Sequence, residues 1–198
     1  MRKFFVIFSL LCGTLTISAQ TAKNVLDKAA ATVSSSTGVH ADFKVTNNLG
    51  TMGGTIDVKG NKFHATTPQA IVWFDGKTQW TYMKKNDEVN VVTPTASQLQ
   101  AINPYNFINL YKHGYHMTMS KSATSYTVHL SATNPSKKIQ EMFITVDKNT
   151  YVPTQVKLLQ STKWTKFDIS NLKKQKISDA VFSFNHKDFP SAEVIDLR

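Results

Sequence analysis

The chain has 198 residues, with 23 lysines and arginines against 13 aspartates and glutamates, a formal net charge of +10. Only Arg2 and Arg198 among the basic residues are arginine. The forked guanidinium groups that usually read bases and phosphates are therefore nearly missing, and the charge argues against a nucleic-acid partner. A single cysteine, Cys12, excludes a disulfide-stapled scaffold, so packing alone has to stabilise the fold.

The first element is a leader. Arg2 and Lys3 precede an almost unbroken apolar or small-residue run from Phe4 to Ile17, and Ser18-Ala19-Gln20 offers a cleavage site after Ala19. This is the layout of a secretory signal peptide, with an apolar core too short for a comfortable span; an uncleaved anchor is the alternative. Cys12 as a lipid-attachment site is disfavoured by the bulky Leu11 before it. The expected organisation is a signal peptide over 1–19 and one domain over 20–198, exported to the periplasm. No later apolar run approaches spanning length.

From Thr21 to about Ser34, Ala22, Val25, Leu26, Ala29, Ala30 and Val33 recur at helical spacing, with Thr21 as N-cap. The period then switches to two. Val39–Val45, Met52–Val58 and Phe63–Ala65 read as half-buried strands separated by Asn47-Asn48-Leu49-Gly50 and Gly60-Asn61. Ala70–Phe74, Gln79–Met83 and Glu88–Val92 follow, the first two joined by Asp75-Gly76, a turn pair that supplies positive φ. Residues 95–114 interrupt the meander with two short helical pieces around Asn103-Pro104, carrying Leu99, Ile102, Phe107, Ile108, Leu110 and Tyr111 on an apolar side. Strands resume over Tyr115–Met119, Tyr126–Leu130, Glu141–Asp147, Pro153–Leu159, Thr162–Ser170 and Asp179–Asn185. The expectation is a mainly β (α+β) fold: one incomplete antiparallel β-barrel of about eleven strands, with an N-terminal helix and a helical lid insert. A sheet that long must curl or split, and pattern alone also permits a closed barrel or a sandwich. The densest basic stretch, Lys163 to Lys176, reads as a solvated strand and turn, with weak attraction to an anionic membrane surface or acidic partner as the functional alternative.

Three stretches, in this order and behind a leader, resemble the outer-membrane lipoprotein carrier LolA family. They are Asp75-Gly76-Lys77-Thr78-Gln79-Trp80-Thr81-Tyr82, Glu141-Met142-Phe143-Ile144-Thr145-Val146-Asp147, and the ending from Phe182-Ser183-Phe184 through Val194-Ile195-Asp196-Leu197-Arg198. The resemblance implies an unclosed barrel with helices lidding an apolar cavity. It also implies a periplasmic chaperone carrying the acyl chains of lipoproteins from the inner to the outer membrane. Its implied partners are acylated lipoproteins, an inner-membrane lipoprotein-releasing ABC transporter and, left open, an outer-membrane receptor; a monomer is expected. One departure stands out. The family often has an Arg-Pro pair before the third strand, and this chain has Lys59-Gly60-Asn61-Lys62-Phe63, where Lys59 is a cation without the fork.

The lipid-contacting set is expected to comprise Phe43, Val45, Ile56, Val58, Phe63, Trp80, Tyr82, Met117, Met119, Met142 and Ile144 on one sheet face, with Leu99, Ile102, Phe107 and Leu110 from the insert. Met52, Met83, Met117, Met119 and Met142 offer flexible lining. Each aromatic taken singly is more simply ordinary core. No cofactor or metal is expected: His113 and His116 straddle Gly114 without a completing ligand. No carboxylate pair, G-x-S-x-G elbow or phosphate-cradling glycine loop marks an enzyme, and none is expected. Three alternatives stand beside the carrier: a lipid- or peptide-binding sensor of the same fold, an enzyme acting on envelope lipids, for which the sequence offers no activated nucleophile, and a scaffold whose cavity is filled by its own side chains.

Overall fold

The computed structural model describes residues 21–95 and 110–198. Helix α1 (Ala22–Val33) starts where Thr21 Oγ1 accepts the Asn24 N–H at 3.2 Å, and it stops at Ser34. It is followed by β1 (Val39–Asn47), β2 (Gly50–Lys59), β3 (Lys62–Thr66), β4 (Ala70–Phe74), β5 (Gln79–Met83) and β6 (Glu88–Val92). After residue 114 come β7 (Tyr115–Lys121), β8 (Ser125–Ala132), β9 (Ile139–Asp147), β10 (Pro153–Gln160) and β11 (Lys163–Lys174), and the chain closes on β12 (Glu193–Asp196).

All twelve strands form one sheet in the order β12-β6-β5-β4-β3-β2-β1-β11-β10-β9-β8-β7. The two meanders join through β1 and β11, and the ends, β7 and β12, do not meet; the sheet is open, as expected. Two points differ from the expectation. Asp179–Asn185 is not a strand. Asp179–Phe182 forms a 3-10 turn capped by Ser178 and is followed by a second at His186–Asp188, so the alternation of Phe182 and Phe184 reflects packing, not a ladder. The final strand is β12, and it pairs with β6 in parallel, which makes the count twelve among the described residues. Leader residues 1–19 and most of the insert, including Leu99, Ile102 and Phe107, lie outside the described residues.

Curvature follows from the packing. The buried side chains of α1 belong to two apolar clusters that together reach from β7 to β4. Those nine strands laid flat would span about 38 Å, while a twelve-residue helix is about 18 Å long. The sheet must therefore curl around the helix, and the face that α1 covers is concave. The opposite face is crossed by the C-terminal segment, which leaves β11 mid-sheet, runs over β3 and β4, and joins the β6 edge as β12.

The Asp75-Gly76 turn shows why the hairpin holds. Asp75 Oδ1 accepts the N–H groups of Lys77 and Thr78 at 2.8 and 2.7 Å, and Gly76 alone takes positive φ, at 103°. Four residues rather than two make the turn, with the Asp side chain standing in for a backbone acceptor.

Candidate functional site

Cross-strand register decides which side chains share the concave face. Ala41 faces Ile56 and Val39 faces Val58; Ile56 and Val58 face Ala65 and Phe63, which in turn face Val72 and Phe74. In the other meander Met117 and Met119 face Leu130 and Val128, which face Met142 and Ile144, which face Leu158 and Val156. Phe43 and Val45 pair with Ile169 and Phe167 and connect the two halves. Phe43, Val45, Ile56, Val58, Phe63, Met117, Met119, Met142 and Ile144 thus share one face, as the alternation predicts. Leu110 packs against the same cluster.

Trp80 and Tyr82 do not. Phe63 faces Phe74, and Phe74 faces Gln79, so the concave phase passes through Gln79 and Thr81. Trp80 pairs with Trp73, Tyr82 with Ile71, and both stand on the outer face beneath the C-terminal segment, where Phe189 packs on Tyr82 with 4.6 Å between ring centroids. The expectation of a single shared face is corrected here. β4 is apolar at all five positions, so periodicity could not carry the phase from β3 to β5.

The concave surface is layered. Val25, Leu26 and Ala29 of α1 are fully buried against Val128, Leu130, Met142, Ile144, Val146, Val156 and Leu158. Val33 joins the second cluster of Ala41, Ile56, Val58, Phe63 and Phe74. Phe43, Val45, Met117 and Met119 are only half-buried, at the flanks of the helix. The Phe43 ring lies across Gly54, where an added Cβ would come within 2.7 Å of Phe43 Cζ and 2.3 Å of the Thr66 carbonyl. Glycine is thus required for that aromatic to lie flat on β2.

Polar ties between α1 and the rest of the described residues are few. Tyr111 donates its hydroxyl to Asp27, Lys28 Nζ donates to the Tyr151 hydroxyl at 3.3 Å, and the Thr32 hydroxyl, 2.7 Å from the Ala29 carbonyl, reaches the Tyr151 carbonyl at 3.4 Å. Lys23 and Tyr111 together hold the Asp27 carboxyl below its ordinary range, while burial and Asp27 push the Tyr111 hydroxyl up.

The expected set left out Phe74, Val128, Leu130, Val156 and Leu158, which the register places on this face, and it also left out one polar residue there. Gln79 is almost fully buried, its Nε2 donates to Thr81 Oγ1 at 3.0 Å, and its Oε1 has no hydrogen-bond partner among the described residues. A buried acceptor left unpaired costs about 1–3 kcal/mol. The signal was present as a glutamine at an inward position of a strand, but only the register shows that the position is inward.

Lys59 is turned away from the concave face. It donates to the Ile177 carbonyl and pairs with Asp179, both at 3.1 Å, and Lys62 joins the same carboxylate at 3.2 Å. The two lysines hold the Asp179 carboxyl below its ordinary value. The cation that stands where the family pattern often has Arg-Pro here fastens the C-terminal segment to the outer face.

The described residues thus form an open sheet whose apolar inner face carries one amphipathic helix, and no three metal-ligating groups converge among them. Comparison gives that architecture a family. The chain belongs to the family described as outer membrane lipoprotein carrier protein LolA, whose model matches residues 12–162. Among solved structures, an uncharacterised conserved protein from Thermus thermophilus shares the fold with a TM-score of 0.61 at 11% identity, covering 89% of this chain and 99% of that one. A LolA superfamily protein from Nitrosomonas europaea (TM-score 0.44, 14% identity, 84% and 99% covered) is similar at a looser level. So is a putative outer membrane lipoprotein-sorting protein domain from Vibrio parahaemolyticus (TM-score 0.43, 11%, 83% and 94%). No curated protein matches the chain.

Proposed function

We propose that the protein is a periplasmic carrier that binds the acyl chains of lipoproteins on its concave face. It transports them between the inner and outer membranes and catalyses no reaction. The observation that supports this best is the contrast between a continuous apolar sheet surface and its cover. Among the described residues the twelve-residue α1 lies over it with four buried apolar side chains and a handful of polar ties, beside the buried Tyr111 ring. Burial of those four side chains contributes about 8 kcal/mol at most, and each acyl methylene withdrawn from water contributes about 0.8 kcal/mol. Roughly ten methylenes therefore match the helix. Acyl chains can take its place on Leu130, Met142, Ile144 and Val156 without an energy source, and the helix can return when they leave.

Family membership supports acylated lipoproteins as cargo, an inner-membrane releasing transporter as donor, and an outer-membrane acceptor. The unbranched Met117, Met119 and Met142 side chains suit chains of varied shape. The test is native mass spectrometry of the protein purified from a lipoprotein-producing host, paired with a membrane-stripping assay. Copurified acylated protein and release of lipoproteins from inner-membrane vesicles are expected. Repeated absence of both, with no uptake of a fluorescent fatty acid, overturns the proposal. Phe43→Glu, which puts a charge at a half-buried concave position, is expected to abolish fatty-acid uptake while the protein stays folded.

A further inference from the structure

Among the described residues, four of the six most exposed large hydrophobic side chains, Leu49, Met52, Met83 and Trp164, lie at one end of the sheet. Three turns there carry them. Leu49 is at the tip of the β1–β2 hairpin and is 88% exposed. That hairpin projects: β2 pairs with β3 only from Thr55 onward, so Gly50–Gly53 are laddered to β1 alone, and the tip stands about 15 Å beyond the β3 ladder. The tip is nevertheless shaped, because Asn47 Oδ1 accepts the Leu49 N–H at 2.8 Å and Gly50 takes φ 127°.

The β10–β11 hairpin stands beside it. Thr46 pairs with Lys166, Leu49 lies three residues beyond the former and Lys163 three before the latter, so both tips reach the same height. Trp164 follows directly, with Lys157 Nζ 4.3 Å above its ring. Met83, the last residue of β5, is followed by Lys84, whose Nζ donates to the Thr67 carbonyl at 2.7 Å, and by Lys85. Of the acids at this end, Glu141 of β9 is level with Trp164 across Leu159 and is paired with His129, and the others sit at the β6 corner. Asp87 accepts from the Tyr82 hydroxyl, Glu88 from Asn86, and Glu193 begins β12; Asp168, further down β11, is paired with Lys166.

We propose that this end of the shell is a membrane-docking rim for anionic lipid surfaces. Leu49 enters the acyl boundary, Trp164, Met52 and Met83 lie at the interface, and Lys163, Lys84 and Lys85 meet the headgroups. Apolar tips separated by lysines suit a lipid surface, where each side chain finds acyl chains by itself and the cations gain from the surface potential. A protein interface would require these side chains to form one contiguous apolar core, which lysines interrupt. Met52 and Met83 belong to the concave phase by their pairing with Val45 and Ala70, so the rim borders the concave face.

The rim stands or falls without any cargo. Protein purified from the envelope of producing cells is floated with empty vesicles of phosphatidylethanolamine and phosphatidylglycerol, and separately with phosphatidylcholine alone. Binding to the anionic vesicles, weakened at high salt, is expected. Leu49→Glu should reduce it by about tenfold or more, and Trp164→Ala by about threefold, with unchanged thermal melting and unchanged fatty-acid uptake. No flotation with anionic vesicles, equal flotation with phosphatidylcholine, or full binding by Leu49→Glu would each overturn the proposal, the first in favour of a protein partner at the tip.

Discussion

The two faces of the sheet are both covered by chain, and they are covered by different means. Over the outer face, the C-terminal segment is bound by a backbone ladder from β12 to β6. It is also held by the Lys59–Asp179–Lys62 ion pairs and by a ring cluster in which Trp73 meets Phe184 and Phe189 at 5.6 and 5.5 Å. Over the concave face, α1 is held by apolar contact and a few side-chain ties. Hydrogen-bonded ladders and aromatic clusters are specific and resist substitution by another ligand. Apolar contact is non-directional, so any other apolar body can replace it. The difference teaches which cover is permanent and which is exchangeable.

The largest expected effect breaks the permanent cover. Trp73→Ala removes the ring on which Phe184, Phe189 and His64 all rest, and should cost about 3–5 kcal/mol in urea denaturation. Fatty-acid affinity per folded molecule should not change. A loss of affinity equal to the loss of stability would mean that the two faces are not independent.

Leu26→Ala is the counterpart on the exchangeable cover. It should destabilise the empty protein by about 2–4 kcal/mol, since Leu26 is fully buried, but tighten fatty-acid binding several-fold because the helix then competes less well. Weaker binding would show that Leu26 contacts the ligand rather than opposing it.

Much of this was legible in the sequence, and the failures have physical causes. Eleven strands and the helix with its Thr21 cap followed from period and turn chemistry. The inward phase of β1, β2, β3, β7 and β9 followed from clean alternation, as at Phe43 and Val45 or Met142 and Ile144. Where a strand is apolar on both faces, as in β4, alternation cannot transmit phase, and Trp80 and Tyr82 were placed on the wrong side. β12 was hidden because a four-residue parallel edge strand has no turn partner to announce it. The role of Lys59 depends on Asp179, far along the chain, which no local pattern contains.

Gln79→Met sharpens the comparison on the concave side. Replacing the unpaired carbonyl with an apolar group of similar shape should stabilise the protein by about 1 kcal/mol, read as a higher melting temperature. A loss of stability would place a bound water or unseen donor at Oε1.

The smallest effect expected is one of pH, on the outer face. Burial beside Trp73 lowers the His64 pKa from its ordinary 6.5, outweighing Asp57 at 3.6 Å. The folded protein therefore resists a proton that the unfolded chain accepts. Stability should fall as pH drops below about 6.5 and level off once His64 is protonated in both states. His64→Phe should flatten that slope in melting curves taken from about pH 7.5 to 5; an unchanged slope would assign it elsewhere.

Hydrogen exchange with and without a bound fatty acid tests the exchangeable cover most directly. Ligand is predicted to speed exchange of the α1 amides, Val25 to Val33, while those of β12 and β6 keep their protection. Undiminished protection of α1 with the ligand bound would contradict an exchangeable helix.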